Sequence, residues 1–339
     1  LAPRVVCHML ANVKDFPELV FFALALFAFH WAWERGGMLR MVLAGLLWGL
    51  ALATKANALF LPGAVLAVAL WAEVPSRFKS RWDRRLWLSL LSWGVVGGAT
   101  MVALWPWLWP SPISRLLLHL DYVSGQVFQV REESLLSPLT ALVTTTPPLT
   151  LMLALVGLTV LVRQGWRRQS ASVLVLAWLA VVLTRLYLPG AVNFDGVRHF
   201  LELFPALMIA AAVGVAAVIE RLVLVVGDRK PHRRLLFGVP LSVVVVLASA
   251  WPTIETHPHQ IAYWNSLVGG TSGAHERGLP QAGDYWGMSY RQGLEWLNEH
   301  VEPGAVLAVP VIQHSVVLVA PERLRSDIGI APLTVPNFP

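Results

Sequence analysis

The sequence predicts an all-α polytopic membrane protein of about eight transmembrane helices, followed by a small extracytoplasmic α/β region. Three observations carry this. Apolar residues make up 56% of the 339 positions and charged residues only 14%, where a soluble globular domain carries about a quarter charged. Mean hydropathy is +0.60. The apolar residues fall in long runs joined by short basic connections, the pattern a bilayer imposes because lipid-facing surface must be apolar.

A helix needs about 20 mostly apolar residues to cross the hydrocarbon layer. Candidate spans fall at 17–33, 38–54, 57–73, 86–108, 141–162, 171–188, 204–223 and 235–251. The short ones tilt little or are lengthened by aromatic flanks. In the fifth, Pro147 and Pro148 of "TTTPPL" mark the outer end, since proline cannot continue a helix. "LWPWLWP" (Leu104 to Pro110) reads as an interfacial aromatic belt in preference to a ligand site. The following "ISRLLLHLDYVSGQVFQV" is amphipathic and suits a helix lying along the membrane surface. Beyond Trp251 the chain turns polar, so residues 1–251 form the membrane region and 252–339 an extracytoplasmic one, with a helix over "SYRQGLEWLNEHV" and a β-rich run "AVLAVPVI".

Orientation follows from Lys and Arg. Four short loops hold Arg35 and Arg40; Arg77, Lys79, Arg81, Arg84 and Arg85; Arg163, Arg167 and Arg168; and Arg221, Arg229, Lys230, Arg233 and Arg234. Those are 15 of the 26 basic residues, and the remaining 11 are spread over much longer segments. The four loops are expected in the cytoplasm and both chain ends outside. This placement explains the net charge of +6 without nucleic acid as a partner. The single Cys7 excludes an internal disulfide framework, and no HExxH or comparable spacing points to a metal.

With that orientation every unusual polar cluster falls outside. Lys14 and Asp15 precede the first span, with Arg4, His8 and Asn12 just upstream. Lys55 sits in the tight turn between the second and third spans, and Asp195, Arg198 and His199 precede the seventh. His257, Tyr263 and Asn265 in "HPHQIAYWNSLVGG" follow the last span, and Asp284, Tyr285 and Trp286 come from "GDYWGMSY". Mid-span polar residues such as His30 and Thr100 read as packing residues.

The residue types suggest a chemistry. Lys55, Arg198 and either Arg4 or Lys14 can neutralise a phosphate through charge-assisted hydrogen bonds. Asp15 and Asp195 can serve as a general base or orient a hydroxyl, and His199 can orient an acceptor. Tyr263, Tyr285 and Trp286 can stack on a sugar ring, with His257, Asn265 and Asp284 as further substrate contacts. Bland alternatives stand beside each reading. Lys55 can be a snorkelling anchor, Asp15 a helix N-cap ahead of Pro17, and Asp195 with Arg198 a capped helix start among lipid headgroups.

The segments "LAPRVVCHMLANVKDFPELVFFALALF", "GLALATKANALFLPG", "TTTPPLTL", "FDGVRHFLELFPAL" and "HPHQIAYWNSLVGG…AGDYWGMSYRQGLEWL" together resemble bacterial membrane glycosyltransferases of the GT-C fold. The allied groups are the protein O-mannosyltransferases (glycosyltransferase family 39) and the lipid A aminoarabinose transferases. The resemblance runs in order over roughly residues 1 to 300. It implies a GT-C-like helical bundle and inverting transfer of a sugar from a polyprenyl-phosphate co-substrate, with no cofactor, to a glycan, lipid or protein hydroxyl on the extracytoplasmic face of the cell membrane. Such enzymes carry an acidic pair in the first outer loop after their first helix. This sequence opens on Leu1 beyond that point, so the expectation is an N-terminally incomplete chain without the principal catalytic carboxylate. Two rivals remain: a transporter or flippase for lipid-linked glycans, and a noncatalytic subunit that binds them.

Overall fold

The computed structural model describes residues 2–73, 84–127, 137–188, 195–225, 231–309, 316 and 320–331. The described chain is overwhelmingly helical, and its helices run back and forth between two ends. Five are long and apolar enough to cross a membrane: Asp15–Arg35, Trp87–Leu104, Pro148–Trp166, Gly196–Leu224 and Gly238–Glu255. Three shorter apolar helices, Met38–Thr54, Ala56–Trp71 and Ser170–Leu186, occupy the remaining expected positions. The protein is an all-α, multi-pass membrane protein.

Helix α1 (Pro3–Ala11) precedes α2 (Asp15–Arg35), which ends where Gly36 and Gly37 take φ of +65° and +102°. Those angles suit glycine and stop a helix. Helix α3 (Met38–Thr54) returns to the starting end, and a 3-10 turn (Ala56–Phe60) leads into α4 (Leu61–Val68) with a π-helical turn (Ala69–Glu73). Then come α5 (Arg84–Leu104), α6 (Pro112–Val127), α7 (Ser137–Thr145), α8 (Pro148–Trp166) and α9 (Ser170–Leu186). A 3-10 segment (Gly196–Leu203) runs into α10 (Phe204–Val225), and α11 (Pro231–Glu255) follows. The polar tail holds α12 (Gly270–Glu276), α13 (Tyr290–His300) and a two-residue parallel pair, β1 (Val306–Leu307) with β2 (Gly329–Ile330). Arg77, Lys79, Arg81, Arg229, Lys230 and the end of the expected β-run lie outside the described residues.

Small residues set the packing. A Cβ on Gly157 of α8 would overlap the Ala210 carbonyl of α10, and one on Gly214 would overlap the Leu153 carbonyl in return. Gly45 and Gly49 of α3 meet α5 the same way, at Trp93 and at Thr100. Close backbone approach through small residues is how helices associate where lipid removes the hydrophobic drive between them.

The expected fifth span is displaced. A single helix does not run through 141–162; α7 stops at Thr145 and α8 starts at Pro148. Pro148 is well placed as a first helical residue, but the two prolines give the end of α7 no continuing N–H donors. Asn265 supplies them from 119 residues away in sequence. Its Nδ2 donates to the Thr146 carbonyl at 2.7 Å and to the Val143 carbonyl at 2.6 Å, and its backbone N–H donates to Thr144 O at 2.8 Å.

Candidate functional site

The site lies at the end of the bundle where α2 begins, α3 finishes and the 3-10 segment enters α10. Asn12 starts its construction. Its Oδ1 accepts the backbone N–H groups of Lys14 (3.1 Å) and Asp15 (2.9 Å), satisfying donors that the first turn of α2 leaves open. Capping therefore falls to Asn12, not to Asp15 as the bland alternative had it. With its amide fixed that way round, Asn12 Nδ2 donates to Asp15 Oδ2 at 2.8 Å. The other Asp15 oxygen receives Lys55 Nζ at 2.9 Å. Lys55 points inward rather than snorkelling, and its Nζ also reaches the Arg198 carbonyl at 3.5 Å.

Asp195 and Gly196 carry φ of +60° and +63°, a sharp left-handed turn ahead of the 3-10 segment. Asp195 makes no capping bond; its carboxylate holds Arg198 at 2.8 Å. Burial pushes the Asp195 carboxyl above its ordinary range, with Arg198 opposing. Glycine at 196 is required for space as well as conformation, because a Cβ there would sit 2.9 Å from Arg4 Nη1. The Arg198 guanidinium lies 5.0 Å from the Trp286 ring centroid, within cation–π range.

The tail segment supplies the other wall. Burial pushes the Asp284 carboxyl up, but bonds from Ser289, Trp286 and Met288 outweigh this and hold it below the usual carboxylate range. Asp284 Oδ1 accepts from Trp286 N at 3.1 Å and Oδ2 from Ser289 Oγ at 2.7 Å, so this carboxylate shapes the turn that presents Tyr285 and Trp286. Burial pushes the Tyr285 hydroxyl up to about 12. It stays a neutral donor at ordinary pH.

Seven of the expected site residues are thus brought together: Asp15, Lys55, Asp195, Arg198, His199, Tyr285 and Trp286. His199 is partly buried, and its carbonyl accepts from Arg185 Nη2 at 2.6 Å and Asn57 Nδ2 at 3.0 Å. The other expected residues hold the frame or stand apart. Asp284 shapes a turn, Asn265 staples α7, and Tyr263 receives Arg4 Nε on its backbone carbonyl at 3.1 Å. Lys14 is exposed. His257 is exposed as well and bonds Gln260 at 3.0 Å.

Sequence reading missed what lies beneath. Glu202 and Arg185 form an ion pair at 2.7 Å, with Asn57 bonded to both, and Trp178 Nε1 donates to the Glu202 carbonyl at 2.7 Å. Glu18, one turn below Asp15, is fully buried. The signal was available, since a carboxylate inside "ELVFF" or "FLELF" has no water to face, but both look like rim residues of an apolar run. Arg4, already an expected phosphate contact, and His8, given no role by the sequence, lie at the heart of the cluster and are each 1% exposed. Among the described residues no three His, Cys, Asp or Glu side chains are grouped as a metal site needs.

Fold and cluster together define a multi-pass helical membrane protein with a buried, cation-rich polar site at one end. No family model matches the chain, and no curated protein matches it.

Proposed function

We propose that this protein is a membrane glycosyltransferase that moves a sugar from a polyprenyl-phosphate donor to a hydroxyl of a glycan, lipid or protein acceptor. The observation that carries the reading is the buried Asp15–Lys55 pair beside Arg198 and Trp286, at the end of an apolar bundle. A substrate that is half lipid and half phosphosugar needs an apolar approach, cations for phosphate and an aromatic face for the ring, and these meet here.

In the inverting reaction the acceptor oxygen attacks the anomeric carbon as the bond from that carbon to the phosphate oxygen breaks on the opposite face. The electron pair leaves with the prenyl phosphate, and the hydroxyl proton passes to a carboxylate. Asp15 and Asp195 are the carboxylates of the cluster, and Lys55 and Arg198 offset charge developing on the phosphate. If the three shorter apolar helices span as the five long ones do, the excess of Lys and Arg in the basic loops favours a cytoplasmic side for those loops and an extracytoplasmic side for the site.

A second reading, carriage of a lipid-linked glycan, draws on the buried carboxylates of Glu18 and Glu202. The two separate in membranes that contain the protein and a panel of polyprenyl-phosphate sugars. Transfer predicts a new glycosylated product that Asp15→Asn abolishes. Movement of the lipid-linked sugar across vesicles with no product formed supports carriage instead, and binding with neither supports a noncatalytic subunit.

A further inference from the structure

The cations of the site are not equivalent. Lys55 is neutralised by Asp15, Arg198 by Asp195 and Arg185 by Glu202. Arg4 has no such partner among the described residues. Its Nε donates to the Tyr263 carbonyl, its guanidinium lies 4.7 Å from the Trp264 ring centroid and 5.5 Å from that of Tyr285, and its Nη2 is buried with no hydrogen-bond partner. An arginine keeps its charge in any protein environment, so Arg4 is a buried cation with no carboxylate in contact with it among the described residues. Leaving a buried charged donor unmatched is costly. An anionic ligand would offset that cost.

The groups around Arg4 point to the ligand's chemistry. His8 lies one turn along α1 from Arg4 and shares its face. Asn12 Nδ2 faces His8 Nδ1 at 3.3 Å. The amide orientation is set by the backbone donors that Asn12 Oδ1 accepts, so Nδ2 is the donor and His8 Nδ1 must be the acceptor. The proton of the neutral ring then sits on Nε2, which is buried and without a partner. The buried Tyr285 hydroxyl lies 3.5 Å from the point where a Gly196 Cβ would sit, within reach of Arg4, from which its oxygen can accept while its own proton is left for a ligand. Three donors stand around Arg4, one of them cationic, and the acceptors beside them are the Tyr285 hydroxyl oxygen and Gln281 Oε1, both neutral, so an oxyanion is the ligand this surrounding suits.

We infer that Arg4, His8 and Tyr285 form the seat for the phosphate group of the ligand, with Trp264 and Trp286 as its aromatic walls. Lys55 and Arg198 are then not the primary phosphate anchors; each is committed to its own carboxylate and contacts the ligand secondarily. Burial and the nearby positive charges of Arg198, Arg4 and Lys55 hold His8 down to about 4, so it acts as a neutral donor to the anion rather than as a base. The seat itself requires only an oxyanion. That the oxyanion belongs to a prenyl phosphate rests on the functional reading above.

The test is equilibrium binding to the purified protein in detergent, read by quenching of tryptophan fluorescence. The probes are a polyprenyl phosphate, the matching neutral polyprenol and inorganic phosphate. The phosphorylated lipid is expected to bind at least tenfold more tightly than the alcohol, and Arg4→Gln should erase most of that preference. His8→Gln, which keeps a donor near the Nε2 position, should retain tighter binding than His8→Asn, which does not. This pair reads the seat even if Arg4→Gln folds poorly. Equal binding of phosphate and alcohol would overturn the lipid-phosphate reading, and competition by inorganic phosphate that Arg4→Gln abolishes would then identify the seat as one for a free anion. A strong phosphate preference that survives in Arg4→Gln and is lost in Lys55→Met would overturn the seat and leave the functional reading standing.

Discussion

Lys55 places its ammonium 2.9 Å from an oxygen of Asp15, tying the end of α3 to the first turn of α2. Asn12 also donates to Asp15, and Lys55 also reaches the Arg198 carbonyl, so the pair is a joint in the bundle as well as part of the site. Breaking a buried pair leaves an uncompensated charge, at a cost of about 3–5 kcal/mol. Asp15→Asn and Lys55→Met are each expected to lower stability by that order. The double variant should cost less than the sum, with a coupling of about 1–3 kcal/mol. Denaturation in detergent measures all three, and additive losses would mean that the two side chains do not act together.

His8 gives a pH signature. Its folded value of about 4 lies below the ordinary 6.5 because burial disfavours the charged ring. The unfolded state therefore binds the proton first as pH falls. Stability from neutral His8 is complete above about 6.5 and is lost progressively down to about 4, by roughly 3 kcal/mol in total. Nitrogen NMR of labelled histidine should show the Nε2–H tautomer at pH 6. A ring already half protonated there would refute the assignment.

Asn265 is expected to matter for folding rather than for ligand binding. Asn265→Ala strands two buried carbonyls at the end of α7, costing about 1–3 kcal/mol. Asn265→Asp should be worse, because an acceptor and a charge would then face those same carbonyls. Thermal unfolding in detergent ranks the variants; a ligand-binding defect in Asn265→Ala at unchanged stability would reverse this assignment.

How much of this was legible beforehand differs by element. Apolar runs bounded by basic loops fix helices well, and 38–54 matches α3 end to end. The fifth span was started too early at 141, because hydropathy runs on through the paired prolines, but those prolines do mark the end of the helix as expected, and α8 begins at Pro148. Asp195 and Arg198 were readable as a pair because three-residue spacing on one turn makes them neighbours. Asn12 was not, although a short polar residue three positions ahead of a helix start is a capping signal. Its two roles, capping α2 and fixing the His8 tautomer, depend on the angle between α1 and α2, which local sequence does not encode. The pairing of Lys55 with Asp15 was not readable, because the two lie 40 residues apart and only the return of α3 brings them together.

Arg198 joins that long-range frame to the ligand side. Asp195 holds one edge of its guanidinium at 2.8 Å, and the planar face lies 5.0 Å from the Trp286 ring centroid. Both contacts use geometry a lysine lacks, since an ammonium is a point charge without a planar fork or a stacking face. Arg198→Lys therefore keeps the charge but releases Trp286 and loosens the turn at Asp195. The expected result is normal membrane insertion with turnover reduced about a hundredfold, the order expected when a positioned charge-assisted contact is lost from a transition state. Asp195→Asn, which weakens the same pair and leaves the arginine in place, should give a smaller loss in the same direction. Turnover by Arg198→Lys at the parent rate, measured on membranes holding equal amounts of inserted protein, would reduce the cluster to a surface anchor.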